Sequence, residues 1–236
     1  VWAQRGEEAY KTITNTIAVM PGTAWPGRWV IAGGHRDAWG PGAADNVSGV
    51  STILEAGRAI GDAAAAGFRP KRTIVLATWD GEEGGLVGSM EYVEQMADTL
   101  REKAVAYLNL DVSANGRNFH AAGTASLWAF IRDLAASARQ PGDSVSVYEA
   151  WRRNTRPTDS ASVPIGDLGG GSDFAGFYNV LGIPSFDFGF GGRYGVYHSA
   201  YDSFNWMERF GDPGYLSHAA AARMAAIAVT RLANTD

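Results

Sequence analysis

Seven side chains in this sequence are of the kinds that hold transition metals and move protons: His35, Asp37, Asp45, the adjacent pair Glu82 and Glu83, Asp111 and His198. Imidazole combined with carboxylate is borderline-soft nitrogen and oxygen ligation, which suits zinc. A metal-bound histidine usually passes its second ring nitrogen to a carboxylate or carbonyl, and Asp37 is well placed to do this for His35. Two neighbouring glutamates repel unless something positive lies between them. One of such a pair can bind a metal while the other stays free as a general base. Taken singly, each residue has an ordinary explanation: a histidine at a strand end, a capping Asp45-Asn46, a solvated Glu-Glu turn. Taken together, at the ends of successive apolar strands, they are hard to explain as surface charge.

The elements that must position them follow from periodicity. Val30-Ile31-Ala32 is a short apolar run ended by Gly33 and Gly34, so His35 stands at the end of a buried strand, where open α/β sheets bind ligands. A loop rich in Gly and Pro then carries Asp45-Asn46 to a helix over residues 46–60, with Val50, Ile53, Leu54 and Ile60 on one face. Thr73 to Trp79 is nearly continuously apolar, the mark of a strand covered on both faces, and it leads to Glu82-Glu83. Residues 104–110 form a buried strand that ends at Asp111. Residues 12–20 alternate as a half-buried strand, which the Pro-Gly turns that follow would pair with 29–34 in a hairpin. Helices are expected at 86–96, 126–139, 173–180 and 215–232, and strands at 119–122 and 183–188. Residues 1–11 read as a polar arm or short helix, 140–171 as the least regular stretch, and 189–196 as a glycine-rich loop before Tyr197-His198. Strands alternating with helices predict an α/β fold: a three-layer α/β/α sandwich around a mixed, mostly parallel sheet.

Composition narrows the chemistry. With 236 residues there is enough chain for one large α/β domain. A net charge of −5 offers no basic surface for nucleic acid. No apolar run is long enough to span a bilayer. The absence of Cys excludes thiolate zinc sites and cysteine nucleophiles, and with four His in all, a metal site must lean on carboxylates. The chain opens at Val1 without an initiator Met, as a mature or excised domain would.

Several motifs, in order, resemble the catalytic domain of glutamate carboxypeptidase II and its transferrin receptor-like relatives, within the co-catalytic zinc aminopeptidase and carboxypeptidase superfamily. They are Gly33-Gly34-His35-Arg36-Asp37, residues 42–49 (Gly-Ala-Ala-Asp-Asn-Val-Ser-Gly), Arg72-Thr73-Ile74, Trp79 to Glu83 (Trp-Asp-Gly-Glu-Glu), Leu86-Val87-Gly88-Ser89, Asn109-Leu110-Asp111, Gly170-Gly171-Ser172-Asp173-Phe174 and Tyr197-His198-Ser199. The resemblance implies a zinc-exopeptidase-like fold and hydrolysis of a terminal bond of small peptides. It implies two zinc ions, one on His35, Asp45 and Asp111, the other on Asp45, Glu83 and His198, with Asp45 bridging. It makes Glu82 the general base and Tyr197 a donor to the oxyanion, and it lines the substrate cleft with Gly171, Ser172 and Asp173. It implies a cis bond after Asp45. Glu91 and Glu94 match positions that help hold a structural calcium in the family, and they equally suit a solvated i,i+3 acidic pair.

The resemblance also marks departures. An inserted protease-associated domain should precede this region and a helical dimerisation domain should follow it. Neither lies within these residues, so homodimerisation is expected only of a longer protein, and residues that those domains lend to the pocket are missing. The family location implied is periplasmic or extracellular. Where the acidic-dipeptide hydrolases carry an arginine patch, this chain has Phe186-Asp187-Phe188-Gly189, which predicts weaker selection for an acidic residue on the amino side of the cleaved bond. His120 and His218 match no ligand position. The alternatives are an aminopeptidase of the same superfamily, a transferrin receptor-like module without activity, and a glutaminyl cyclase-like acyltransferase with one zinc. The full set of ligand types argues against the receptor, and a bridging Asp45 with both histidines argues against the cyclase.

Overall fold

The computed structural model describes residues 12–155 and 163–235. The polar stretch 1–11 lies outside them. The sheet has six strands in the order β1-β3-β2-β4-β6-β5. These are β1 (Thr16–Met20), β2 (Trp25–His35), β3 (Arg72–Trp79), β4 (Ala104–Asn109), β5 (Asn118–Gly123) and β6 (Ser185–Gly191). The inner four, β3, β2, β4 and β6, are parallel, and the edges β1 and β5 run antiparallel to them. The sheet is therefore mixed and mostly parallel, as periodicity predicts.

Alternation along the inner strands supplies two cores, one on each face. Val30, Ala32, Ile74, Leu108, Phe186 and Phe188 face one side, where helices α1 (Val47–Ala65), α4 (Trp128–Ser137), α5 (Val147–Thr155) and α7 (Leu216–Asn234) cover them. Ile31, Val75, Ala77, Trp79 and Tyr107 face the other, under α2 (Val87–Gln95), α3 (Ala97–Lys103) and a π-helical turn at Gly176–Val180. Phe177 from that turn stacks on Tyr107 with ring centroids 4.0 Å apart. A one-turn helix, α6 (Phe204–Trp206), precedes α7.

Three sequence expectations are corrected. β1 does not form a hairpin with β2. It pairs with β3, because β2 is already flanked by parallel partners on both sides and β3 offers the free edge. The helix expected at 86–96 forms as α2, and a further helix that the sequence reading passed over, α3, follows it after Met96. β6 runs on to Gly191, so the loop read from residue 189 starts later. The irregular stretch contains α5, which buries Val147, Ala150 and Trp151 at helical spacing. A reciprocal cap starts it: Glu149 N donates to Ser146 Oγ, and Ser146 N donates to Glu149 Oε2.

Two glycines let the layers close on the site. A Cβ on Gly34 would stand 2.1 Å from Leu110 O, and one on Gly49 would stand 2.2 Å from the same atom. Only glycine permits β2 and the first turn of α1 to approach the end of β4 this closely.

Candidate metal centre

The parallel order β3-β2-β4-β6 brings the carboxyl ends of these strands side by side. His35 closes β2, Glu82 and Glu83 follow β3, Asp111 follows β4, and the loop after β6 delivers His198. Residues up to 163 positions apart in the chain thereby share one pocket. Asp45 lies between the two imidazoles. His35 Nε2 is 3.2 Å from Asp45 Oδ1, and His198 Nε2 is 3.0 Å from Asp45 Oδ2. Asp111 Oδ1 is 3.2 Å from His35 Nε2, and Glu83 Oε2 is 3.1 Å from His198 Nε2. Glu82 Oε2 lies 3.9 Å from His35 Nε2.

The electrostatics are those of a site built for cations. Burial disfavours the His35 imidazolium, but the carboxylates of Asp111, Asp37 and Asp45 outweigh it and raise the pKa well above the ordinary histidine range. Burial pushes Glu82 up to about 8, with Asp111, Asp173 and Glu83 adding to the shift against the opposing pull of His35. Glu83 is raised for similar reasons, burial first and then Asp45. Its Oε1 is buried without a hydrogen-bond partner. Ligand atoms of His35, Asp45 and Glu83 lie within 4.8 Å of one another, as do those of His35, Glu82 and Asp111. Crowded carboxylates, two imidazoles and an orphaned buried oxygen fit divalent ions, which would relieve the repulsion and saturate the oxygen.

The model of "Peptidase family M28" matches residues 15–212. The chain belongs to peptidase family M28. It is 42% identical over 233 residues to the probable glutamate carboxypeptidase LAMP1 of Arabidopsis thaliana, covering 98% of this chain and 34% of that protein. It is 38% identical over 239 residues to the aminopeptidase NAALADL1 of Mus musculus, covering 95% of this chain and 32% of the relative. The chain thus spans about a third of the length of these relatives. Among solved structures, BSAP, a zinc aminopeptidase from Bacillus subtilis, superposes with a TM-score of 0.67 at 21% identity, over 94% of this chain and 50% of that one, a likeness of fold.

The candidate centre is braced by residues that sequence reasoning gave other roles or passed over. The Asp37 carboxylate does more than face His35 Nδ1 at 3.6 Å. It accepts hydrogen bonds from Glu82 N at 3.0 Å and Glu83 N at 3.1 Å, so it fixes the glutamate pair, while its own carbonyl lies 3.0 Å from His35 Nδ1. Asn46 caps α1 through Gly49 N and also accepts from Val112 N, and its amide donates to His35 O and Leu110 O. This one side chain ties together β2, β4 and α1. The bond between Asp45 and Asn46 is cis, as the resemblance implies. Asp202, buried, accepts from Ala44 N at 2.9 Å, Asp45 N at 3.0 Å and Tyr194 OH at 2.7 Å, and so holds the Asp45 loop from beneath. Its place just past Tyr197-His198-Ser199 was the available signal.

A buried chain of hydrogen bonds supports Asp111. Trp79 Nε1 donates to Tyr107 OH, which donates to Asn109 Oδ1. Asn109 Nδ2 donates to Ser172 Oγ, which donates to Asp111 Oδ2 at 2.6 Å. Val112 and His198 hold left-handed backbone angles of φ 47° and 53°, conformations that side chains rarely adopt and that cluster at functional sites.

Other expected residues fall as follows. Tyr197 is exposed and stacks on His198 with ring centroids 3.7 Å apart. Burial, then Asp45 and Asp111, raises its pKa, which keeps the phenol protonated. Gly171 and Ser172 line an open cavity of about 480 Å³ beside Asp111. Asp173 does not line it: the side chain is fully buried, and burial pushes its pKa up to about 7 against the opposing pull of the Ser89 hydroxyl and His35. Its neighbour Phe174 takes the lining position because the helical turn rotates residue 173 inward. Glu91 and Glu94 are exposed on α2, and no third ligand joins them among the described residues. His120 lies on β5 and lines the cavity, and His218 donates from Nδ1 to Asp212 at the start of α7.

Proposed function

We propose that this chain is the catalytic part of a two-zinc exopeptidase that hydrolyses a terminal bond of small peptides. The carrying observation is Asp45, which turns one oxygen to each of two imidazoles, at 3.2 and 3.0 Å, with Asp111 and Glu83 completing the two sets. His35, Asp45 and Asp111 would hold one ion, and Asp45, Glu83 and His198 the other. When bound, a zinc pair supplies Lewis acidity that lowers the pKa of water and polarises a carbonyl. The relatives' names, glutamate carboxypeptidase and aminopeptidase, support terminal-bond hydrolysis.

The chain's own residues would do the rest. Glu82, aimed into the site and held by Asp37 through its backbone, accepts a proton from the attacking water and returns it to the leaving amine. Its environment favours carrying that proton. Tyr197, kept protonated, donates to the oxyanion that develops on the former carbonyl. Ser172 and the hydrogen-bond chain behind it keep Asp111 from turning away. Glu91 and Glu94 would add a calcium site only if further ligands joined them. Among the described residues no helix is long and apolar enough to cross a membrane.

Elemental analysis of the purified protein, beside hydrolysis of dipeptides, tests the reading. About two zinc ions per chain and release of amino acids are expected. One zinc with cyclisation of amino-terminal glutamine would replace the reading by the cyclase, and no metal by the receptor-like module.

A further inference from the structure

The cavity beside Asp111 carries a second carboxylate that the proposed mechanism does not use. Asp187 sits on β6, in register with Asn109 of β4 and Ala122 of β5. Its neighbours Phe186 and Phe188 point into the opposite core, so alternation turns Asp187 towards the cavity. The cavity, about 480 Å³, is of a size to take one amino-acid residue. Its lining includes Asp111, Ser172, Phe174, Leu168 and Asp187. No Lys or Arg lines it among the described residues. Burial lowers the pKa of His120, the one other titratable group on the wall among the described residues, and so favours the neutral ring.

Asp187 is only partly satisfied by the protein. Its Oδ2 accepts from Asn109 Nδ2 at 2.8 Å, and no donor among the described residues reaches Oδ1. Asp111 would be neutralised by its metal. Burial pushes the Asp187 carboxyl up to about 8, against the pull of Asn109 and with Asp111 adding to the rise, so Asp187 lacks a charge partner, and a cation beside it would stabilise the carboxylate through a charge-assisted hydrogen bond.

We infer that Asp187 is a specificity-determining residue that anchors a cationic group, an ammonium or guanidinium, of the substrate residue occupying this cavity. The inference rests on the peptidase reading for what enters the cavity, but its test does not need turnover. The cation has two sources, a free α-amino group or a basic side chain, and three probes separate them. Norleucine amide carries only the α-ammonium, Nα-acetyl-lysine amide only the side-chain ammonium, and Nα-acetyl-norleucine amide neither. Their binding to the zinc-loaded, natural-length protein is measured by calorimetry, for the parent and for Asp187→Asn. The asparagine keeps an oxygen for Asn109 and removes the charge.

At least one cationic probe is expected to bind about tenfold or more tightly than the neutral one, and Asp187→Asn is expected to erase that margin. The probe that gains identifies the source. A merely structural role for Asp187 would lower thermal stability or zinc content in Asp187→Asn and leave the ranking of probes unchanged. That result overturns the inference, as do equal binding of all three probes, no binding of any, or a margin that survives in Asp187→Asn. A protein that binds the probes as expected but cleaves no peptide would sink the peptidase reading and leave the cation subsite standing.

Discussion

At the scale of single residues, the adjacent glutamates make the sharpest test. Glu83 Oε2 meets His198 at 3.1 Å, while Glu82 Oε2 stands 3.9 Å from His35. Glu82→Gln is expected to retain zinc and lose turnover by about 10²–10⁴-fold, the usual worth of a positioned general base. Glu83→Gln is expected to lose zinc in a competition titration with a chelator. Similar zinc loss in both variants would show that both are ligands. Asp173 gives a prediction in pH. Its carboxyl is buried, and burial outweighs the pull of the Ser89 hydroxyl and His35, so its folded pKa, about 7, lies above the ordinary 3.8. A raised carboxyl favours the folded state below its unfolded pKa, and that advantage is lost as pH rises through the folded value. In chelator, Asp173→Asn is therefore expected to raise thermal stability more at pH 8 than at pH 5, by at most about 3 kcal/mol. Equal gains at both pH values would refute the account.

At the scale of elements, the site depends on loops held from behind. Asp202 touches neither imidazole, yet it accepts from the backbone of Ala44 and Asp45 and from Tyr194. Asp202→Ala leaves two buried N–H groups unpaired and frees the loop that carries the bridging carboxylate. Zinc affinity is expected to fall about 10–100-fold, in the range found for residues that orient ligands. Unchanged affinity with only a lower melting temperature would mean that the loop is held elsewhere. Gly34→Ala is expected to act through the sheet, since its Cβ would collide with Leu110 O and part β2 from β4. Circular dichroism of that variant should show loss of cooperative unfolding, and a native-like melt would refute the packing argument.

At the scale of the whole molecule, every member of the proposed metal set lies between residues 35 and 198, at the strand ends of one sheet or in the loops that follow them. The set is braced within the chain by Asp37, Asn46, Ser172 and Asp202. Zinc binding is therefore expected of these 236 residues alone. The substrate pocket is another matter: the cavity beside Asp111 is open, and Tyr197, Tyr201, Phe204 and Phe210 are exposed. Positioning a peptide accounts for much of an enzyme's rate. Weak hydrolysis is expected from this chain alone and higher activity from a chain of the relatives' length, at equal zinc content. Equal specific activity would show that the pocket is complete here.

The sequence by itself determined the chemistry and the broad plan. Apolar runs at 30–32, 73–79 and 104–110 announced buried strands, the second of them covered on both faces, and their polar ends announced His35, Glu82-Glu83 and Asp111. Burial on both faces leaves a continuous apolar signal, and function at strand ends leaves an abrupt polar one, so both survive in one dimension. What the tertiary structure decided is pairing and support. No local pattern says that β1 joins β3 instead of β2, because edge pairing depends on which strand is left free once the parallel core has formed. None says that Asp202 holds Ala44 and Asp45 from 157 residues away, that Asp37 clamps the glutamates, or that Asp173 turns into the core while Asp187 turns into the cavity. A carboxylate reads the same in sequence whether it meets solvent, a backbone amide or another carboxylate, and only the packed chain supplies the partner that sets its role.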